Sequence, residues 1–317
     1  MTYSLISHFR QNLVKQMLTV FSSQKKISGN AHDRRLLILK YLLKMRTLTA
    51  NHIKRLVYPV NAMSTVYYAL DVLKKRKLVD FHAYSLGRGQ GSLKRLYFIT
   101  NKGFELLEKH DHESTIINEY RKHPEPFIDS YYNHRLKLLD LWVFLHLEIK
   151  DQCKHTLNLF LPEWEKYEGK QIVLRFSSIR IEDYSIRPDA TFILENIETK
   201  KEALFFVEID TGSESLHSRV YPCITSRLER YQNAFKQLAF SRVHSDFERF
   251  SGARLLFITS SQVRIENILN KINIDSALND GFLFSTHDLI SKYGLINGTF
   301  RKSGFEGAIG INSKPIS

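Results

Sequence analysis

The chain has 317 residues, 43% of them hydrophobic, with 46 Lys and Arg against 33 Asp and Glu, a formal net charge of +13. Apolar content at this level excludes a disordered chain, and two cysteines, Cys153 and Cys223, exclude a disulfide framework or a cysteine-based zinc site, leaving free buried thiols as their role. No apolar run reaches membrane-spanning length, and Lys15 interrupts the most apolar part of the N-terminus, so a cytoplasmic, two-domain protein without a membrane partner is expected.

In the first segment, 1–30, Leu5, Phe9, Leu13, Met17 and Phe21 recur at four-residue spacing, one apolar face of a helix. Such an arm either docks on the chain's own domains or pairs two copies into a homodimer. The polar run Ser22 to Asn30 separates it from the next segment.

Segment 31–110 holds most of the charge. Sixteen Lys and Arg face five Asp and Glu there, a balance of +11 that leaves only +2 for the rest of the chain. Charge concentrated on one small module is the electrostatic footprint of a nucleic-acid binder. Its pattern reads as a winged helix-turn-helix. Asp33 opens a first helix with Leu36, Leu37, Leu39, Tyr41, Leu42 and Leu43 on a wide apolar face. Thr49 caps a short second helix, Pro59 and Asn61 turn the chain, and Ser64 caps a third helix with Val66, Leu70 and Leu73 inside.

That third helix is the one expected in the DNA major groove, with Ser64, Tyr67, Tyr68 and Asp71 near the bases. Lys74, Lys75, Arg76 and Lys77 close it, where basic residues also complement the helix dipole. Strands at Leu78 to Tyr84 and Leu93 to Thr100 flank a glycine-rich tip, Gly87 to Ser92, with Arg88 in it and Lys94 and Arg95 just beyond. Arg88, Lys94 and Arg95 are the expected phosphate contacts on double-stranded DNA. No helix follows these glycines, so they do not form a nucleotide-binding loop. Thr100-Asn101-Lys102-Gly103 then starts a further helix with a mainly structural role.

Segment 111–130 is a polar linker with Pro124 and Pro126 in His-Pro-Glu-Pro, and the ligand-type run His110 to Glu113 reads as a solvated turn. Segment 131–300 begins with the apolar helix His134 to Ile149. Strands come next at Leu157 to Leu161, Ile172 to Phe176, Ala190 to Leu194 and Ala203 to Ile209. A late-starting helix lies within Ser215 to Phe240, behind Pro222. A strand at Leu255 to Thr259, a helix at Val263 to Ile272 and a strand at Phe282 to Phe284 complete an α/β domain with a mixed sheet. The glycine-rich segment 301–317 reads as a flexible tail.

Two adjacent strands carry the chemistry. Pro188-Asp189-Ala190 enters one, and Glu208-Ile209-Asp210 ends the next, with Glu208 and Asp210 on one face. Three carboxylates at one strand mouth could hold Mg²⁺, which prefers oxygen ligands. The alternative is structural. Acids at strand ends pair with arginines such as Arg187, Arg227 or Arg230, and Asp210 can cap the turn Thr211-Gly212-Ser213.

The Pro188-Asp189 and Glu208 spacing resembles the PD-(D/E)xK nuclease fold, here a restriction-endonuclease-like α/β domain. That resemblance implies Mg²⁺ on Asp189 and Glu208 and metal-assisted phosphodiester hydrolysis. Asp210 stands where that fold has its lysine. Arg227 could serve only electrostatically, since a guanidinium does not give up its proton.

A longer resemblance covers nearly the whole chain. The winged helix with Thr100 to Gly103, the strand at Pro188 to Ala190, the string Glu208 to Ser215 and Arg227 to Tyr231 resemble the replication-relaxation family of plasmids and other bacterial mobile elements. It implies DNA binding in replication or DNA relaxation, with plasmid replication or relaxation proteins as partners. With Asp210 at the lysine position, the expectation is a DNA-binding protein on a nuclease-like scaffold without catalysis. An Mg²⁺-dependent endonuclease using Asp189, Glu208, Asp210 and Arg227 is the first alternative, and a winged-helix transcriptional regulator the second.

Overall fold

A computed structural model describes residues 30–84, 93–111, 132–152, 154–163, 179–181, 184–216, 223–236, 250–296 and 300. The N-terminal arm, the wing tip with Arg88, the proline-containing linker, Cys153, the strand expected at 172–176 and the tail lie outside the described residues. The chain divides into two compact units, one carrying the described residues up to Tyr132 and the other those from Asn133 onward.

The first unit opens with helix α1 (Ala31–Met45), capped by the Asn30 side chain, which accepts the Asp33 N–H at 2.8 Å. Asp33 therefore sits in the first turn rather than opening the helix. Strand β1 (Thr47–Leu48) and helix α2 (Ala50–Val57) follow. Thr49 caps α2 as expected, and the cap is reciprocal. Thr49 Oγ1 accepts the His52 N–H at 3.2 Å, while His52 Nδ1 accepts the Thr49 N–H at 3.3 Å.

Helix α3 spans Met63–Lys75 and starts after Ala62, which makes no side-chain cap. Ser64 is thus not the cap but an exposed residue of the first turn. Strands β2 (Val79–His82) and β3 (Leu96–Ile99) pair antiparallel, and β1 adds to the far side of β3 in the order β1-β3-β2. Helix α4 (Asn101–Asp111) closes the unit. Ile38, Leu39, Leu42, Leu48, Ile53, Val66, Leu70, Leu73, Leu96 and Leu107 fill its core. Helix, strand, two helices and a flanking strand pair make this a winged helix.

The Thr100-to-Gly103 step has a direct physical reading. Thr100 donates its hydroxyl to the Lys77 carbonyl at 2.5 Å and accepts the Gly103 N–H at 3.3 Å, tying the start of α4 to the end of α3. A Cβ on Gly103 would lie 2.3 Å from the Leu78 carbonyl oxygen, so glycine is the residue that fits.

The second unit contains α5 (Tyr132–Gln152, but for its first residue), β4 (His155–Pro162), β5 (Ile179–Ile181), β6 (Tyr184–Ile186), β7 (Ala190–Asn196) and β8 (Glu202–Ile209). Helix α6 (Ile224–Lys236) starts late, as Pro222 implies; β9 (Phe250–Thr259), α7 (Gln262–Leu269), a 3₁₀ turn (Ser276–Gly281), β10 (Phe282–Thr286) and α8 (His287–Tyr293) follow. The five-stranded sheet has the order β10-β9-β8-β7-β4 and is mixed, with β8, β9 and β10 parallel and β7 antiparallel to both neighbours.

Helices α6 and α7 cover the sheet face that carries Leu204, Phe206, Leu255, Phe257 and Phe284, burying Leu228, Tyr231, Ile265 and Ile268 against it. On the opposite face the cross-strand pair Phe192 and Phe205 stacks at 4.7 Å. Near-continuous apolar runs such as Leu255 to Ile258 are what a sheet buried on both faces requires.

Candidate nucleic-acid interface and acidic sheet edge

The exposed surface of α3 carries Ser64, Tyr67, Tyr68, Asp71, Lys74 and Lys75. Its inner positions Val66, Leu70 and Leu73 are committed to the core, which leaves these residues outward by helical periodicity. Tyr67 and Tyr68 are 54% and 66% exposed, two adjacent aromatic side chains on the outer face of the helix. Lys75 pairs with Asp71 at 2.8 Å one turn away. Lys74 lies 3.9 Å over the Phe81 ring and 3.7 Å from Asp80, and the Arg95 guanidinium lies 4.4 Å from the Phe81 ring centroid. Phe81 of β2 thus gathers one cation from α3 and one from the start of β3, and Arg76 and Lys94 are exposed beside them. Arg88 lies outside the described residues.

In the second unit the register brings five strand ends to one edge. Pro162 pairs with Ala190, Ala190 with Val207, Ile209 with Ile258, and Thr259 with Thr286. Glu163, Asp189, Asp210 and Thr259 therefore line a single sheet edge. The backbone ties them together, Glu163 N–H donating to the Asp189 carbonyl at 2.7 Å and Asp210 N–H to the Ile258 carbonyl at 2.8 Å.

Each acid has a fixed partner. Glu208, 2% exposed, accepts from Arg227 on Oε2 at 2.9 Å and from the Tyr231 hydroxyl on Oε1 at 2.8 Å. Arg227 also reaches Glu214 at 2.6 Å. Burial, then the nearby Asp189 charge, push the Glu208 carboxyl up to about 8. Arg227 and Tyr231 pull it the other way, and Glu208 and Glu214 hold Arg227 above its ordinary value against its own burial. Glu208 and Arg227 thus face each other as a buried acid–arginine pair.

Asp210 is held from three sides. Arg264 binds it through Nε and, at 3.1 Å, through a terminal nitrogen; Thr259 donates at 2.6 Å and the Gly212 N–H at 2.9 Å. Burial alone would raise the carboxyl, but these donors outweigh it and hold it below its ordinary range. The expected turn is present, with Gly212 at φ +91°, a conformation that favours glycine. Four residues of the string Glu208 to Glu214 thereby have a structural role. Glu208 and Glu214 clamp Arg227, Asp210 clamps Arg264, and Gly212 makes the turn between them.

Asp189 departs from the expected grouping. Its Oδ2 accepts the Ile209 N–H at 2.6 Å and lies 3.0 Å from His134 Nε2, while His134 Nδ1 lies 3.3 Å from Glu163. Burial would lower the His134 pKa, but the two carboxylates raise it to about 10. Among the described residues, the His and acidic side chains that converge within 4.8 Å are His134, Glu163 and Asp189. The expected metal set of Asp189, Glu208 and Asp210 is not that group, because Arg227 and Arg264 draw the latter two carboxylates to themselves. The all-oxygen cradle that Mg²⁺ would need does not fit this arrangement.

Sequence reasoning missed His134, Glu163 and Arg264. Arg264 sits one turn into α7, behind the Ser261 cap, and nothing local ties it to Asp210. Lys137, one turn beyond His134 on α5, was missed as well. Burial lowers its pKa against the pull of Asp288, Asp140 and Asp210. Cys223 is buried, its Sγ 3.2 Å from the Thr225 hydroxyl.

A winged helix joined to an α/β unit with a mixed sheet, in which Glu208 and Asp210 are tied to arginines, defines the class of protein. Residues 39–249 match the replication-relaxation family model, two thirds of the chain, and the chain belongs to that family. No curated protein matches it. Similar solved structures include a PadR family transcription regulator from Clostridium difficile R20291, at 20% identity and TM-score 0.22 over 29% of this chain and 98% of that one. The adhesin competence repressor AdcR from Streptococcus pyogenes follows at 17% identity and TM-score 0.21, covering 46% of this chain and 97% of that one. A mutant of MepR from S. aureus, bound to an oligodeoxyribonucleotide, has 19% identity and TM-score 0.21, over 48% of this chain and 99% of that one. Superpositions at this level add nothing to the winged helix, which stands on its own element order and pairing. No helix among the described residues is long and apolar enough to cross a membrane.

Proposed function

We propose that the protein binds double-stranded DNA of a plasmid or other bacterial mobile element and acts in its replication or relaxation, without catalysing strand cleavage. The carrying observation is α3 itself. It shows two adjacent exposed tyrosines, Tyr67 and Tyr68, beside Ser64, with Lys74, Lys75 and Arg76 at one end. Aromatic and hydroxyl groups suit base edges, while Lys and Arg at the helix end, with Lys94 and Arg95 on β3's approach, suit phosphates. The α/β unit serves as a scaffold for assembly, with its acids in structural ion pairs. A cytoplasmic homodimer joined through the N-terminal arm, working with replication or relaxation proteins of the same element, completes the reading.

The experiment is a gel shift on fragments of a plasmid that carries the gene, comparing wild type with Tyr67→Ala and Tyr68→Ala. Weakened binding by both variants, each by ~1–3 kcal/mol, supports the reading. Wild-type binding by both would sink it.

The second reading is a metal-dependent endonuclease at Asp189, Glu208 and Asp210 with Arg227. One observation favours it, the convergence of these acids at a single strand edge. Its test is conversion of supercoiled plasmid with Mg²⁺ or Mn²⁺. Nicking that disappears in both Asp189→Ala and Glu208→Ala would overturn the non-catalytic reading.

A further inference from the structure

The same sheet edge brings a histidine to two of its acids. His134 comes from the first turn of α5, Glu163 from the residue after β4, and Asp189 from the residue before β7. Three separate elements thus deliver one imidazole nitrogen and two carboxylate oxygens that lie within 4.8 Å of one another. The side chains are 17%, 36% and 15% exposed, so the group is reachable from solvent yet ordered by its surroundings.

The backbone fixes the frame, through the Glu163 N–H on the Asp189 carbonyl at 2.7 Å and the Asp189 N–H on the Val207 carbonyl at 2.9 Å. The Ile209 N–H on Asp189 Oδ2, at 2.6 Å, orients that carboxylate as an outer partner orients a metal ligand. His134 Nδ1 is shut off from solvent and makes no hydrogen bond, although Glu163 stands 3.3 Å away. His134 thus faces a carboxylate through each ring nitrogen, Nδ1 toward Glu163 and Nε2 toward Asp189.

We propose that His134, Glu163 and Asp189 form a binding site for a first-row divalent cation that favours imidazole, of the Zn²⁺ or Mn²⁺ kind, rather than for Mg²⁺. Ligand bonds of ~2.0–2.2 Å to nitrogen and oxygen need the three atoms to close by only about 1–2 Å, within the reach of the half-exposed Glu163 side chain. One nitrogen and two oxygens is a set that Zn²⁺ and Mn²⁺ accept, whereas Mg²⁺ prefers oxygen alone and keeps its waters. Three protein ligands leave coordination positions for water or a further group. The inference is independent of DNA binding, and it shares Asp189 with the second reading.

Isothermal titration of the full chain with ZnCl₂, and separately with MgCl₂, tests it. The expected result is one Zn²⁺ per chain that millimolar Mg²⁺ does not displace, with affinity down ~10-fold or more in His134→Ala, Asp189→Asn and Glu163→Gln. Mn²⁺ electron paramagnetic resonance should show nitrogen coupling in wild type that His134→Ala removes. Trp fluorescence confirms that each variant is folded, and Glu163→Gln, at the most exposed of the three positions, carries the test if another variant is not. No Zn²⁺ or Mn²⁺ binding, or wild-type Zn²⁺ affinity in the folded variants, would overturn the proposal. Either outcome leaves the gel shift to judge DNA binding by itself.

Discussion

Replacing Arg264 by Met isolates the contribution of the acid–arginine pairs. The Asp210 side chain is fully buried and Arg264 is 17% exposed, with contacts to both carboxylate oxygens and a further bond to the Glu214 carbonyl at 2.6 Å. Removing one partner of a buried pair costs ~3–5 kcal/mol, because the other charge stays behind uncompensated. Thr259 and the Gly212 N–H still donate to Asp210, so the low end, ~3 kcal/mol, is expected here. Asp210→Asn combined with Arg264→Met removes both charges and should recover ~1–2 kcal/mol of that loss. Urea unfolding followed by tryptophan fluorescence reports this unit alone, since both tryptophans, Trp142 and Trp164, lie in it by sequence. At a slope of ~2–3 kcal/mol/M the midpoint should fall by about 1–1.5 M in Arg264→Met. A loss under ~1 kcal/mol, or a double variant no more stable than Arg264→Met, would refute the reasoning.

Other outcomes rest on the same contacts. Asp210 is held below its ordinary value, so its contribution is present above the unfolded pKa of ~3.9 and is lost as pH falls through the lower folded value. Acid unfolding of Asp210→Asn should accordingly be less steep below pH ~4 than that of wild type. Tyr231→Phe removes the 2.8 Å donor to buried Glu208 and should destabilise by ~1–3 kcal/mol by the same fluorescence assay. Gly103→Ala places a Cβ 2.3 Å from the Leu78 carbonyl oxygen and should cost ~1–3 kcal/mol in a thermal melt of the winged helix followed by circular dichroism.

Local signals were legible in the sequence and distant pairings were not. The Asp210 turn joins residues two apart, so it could be expected from the sequence, whereas Arg227 was one of three candidate arginines and Tyr231 as a donor to Glu208 shows only in the structure. The apolar periodicity of α1 and α3 and the runs of β8 and β9 gave the elements because burial writes itself into pattern. Arg264 meets Asp210 across 54 positions, and His134 meets Asp189 across a helix and several strands, which only the folded register decides. Strand β1 has two residues, too few for a period to show, and pairs with β3 because the fold brings it there. The arginine partners of the expected metal set were hidden for a related reason. Carboxylates on one face were correctly grouped, but the arginines that claim two of them came from helices whose approach no local pattern encodes.

The central claim, a winged helix that grips DNA phosphates through α3's end and the start of β3, is tested most directly by the salt dependence of binding. Fluorescence anisotropy on a labelled duplex is measured across salt concentrations for wild type and for Lys74, Lys75, Arg76, Lys94 and Arg95 each changed to Gln. The log–log slope should shrink by ~0.9 for each phosphate contact removed, while Tyr67→Ala weakens binding with the slope intact. A slope unchanged in all five variants would contradict the account.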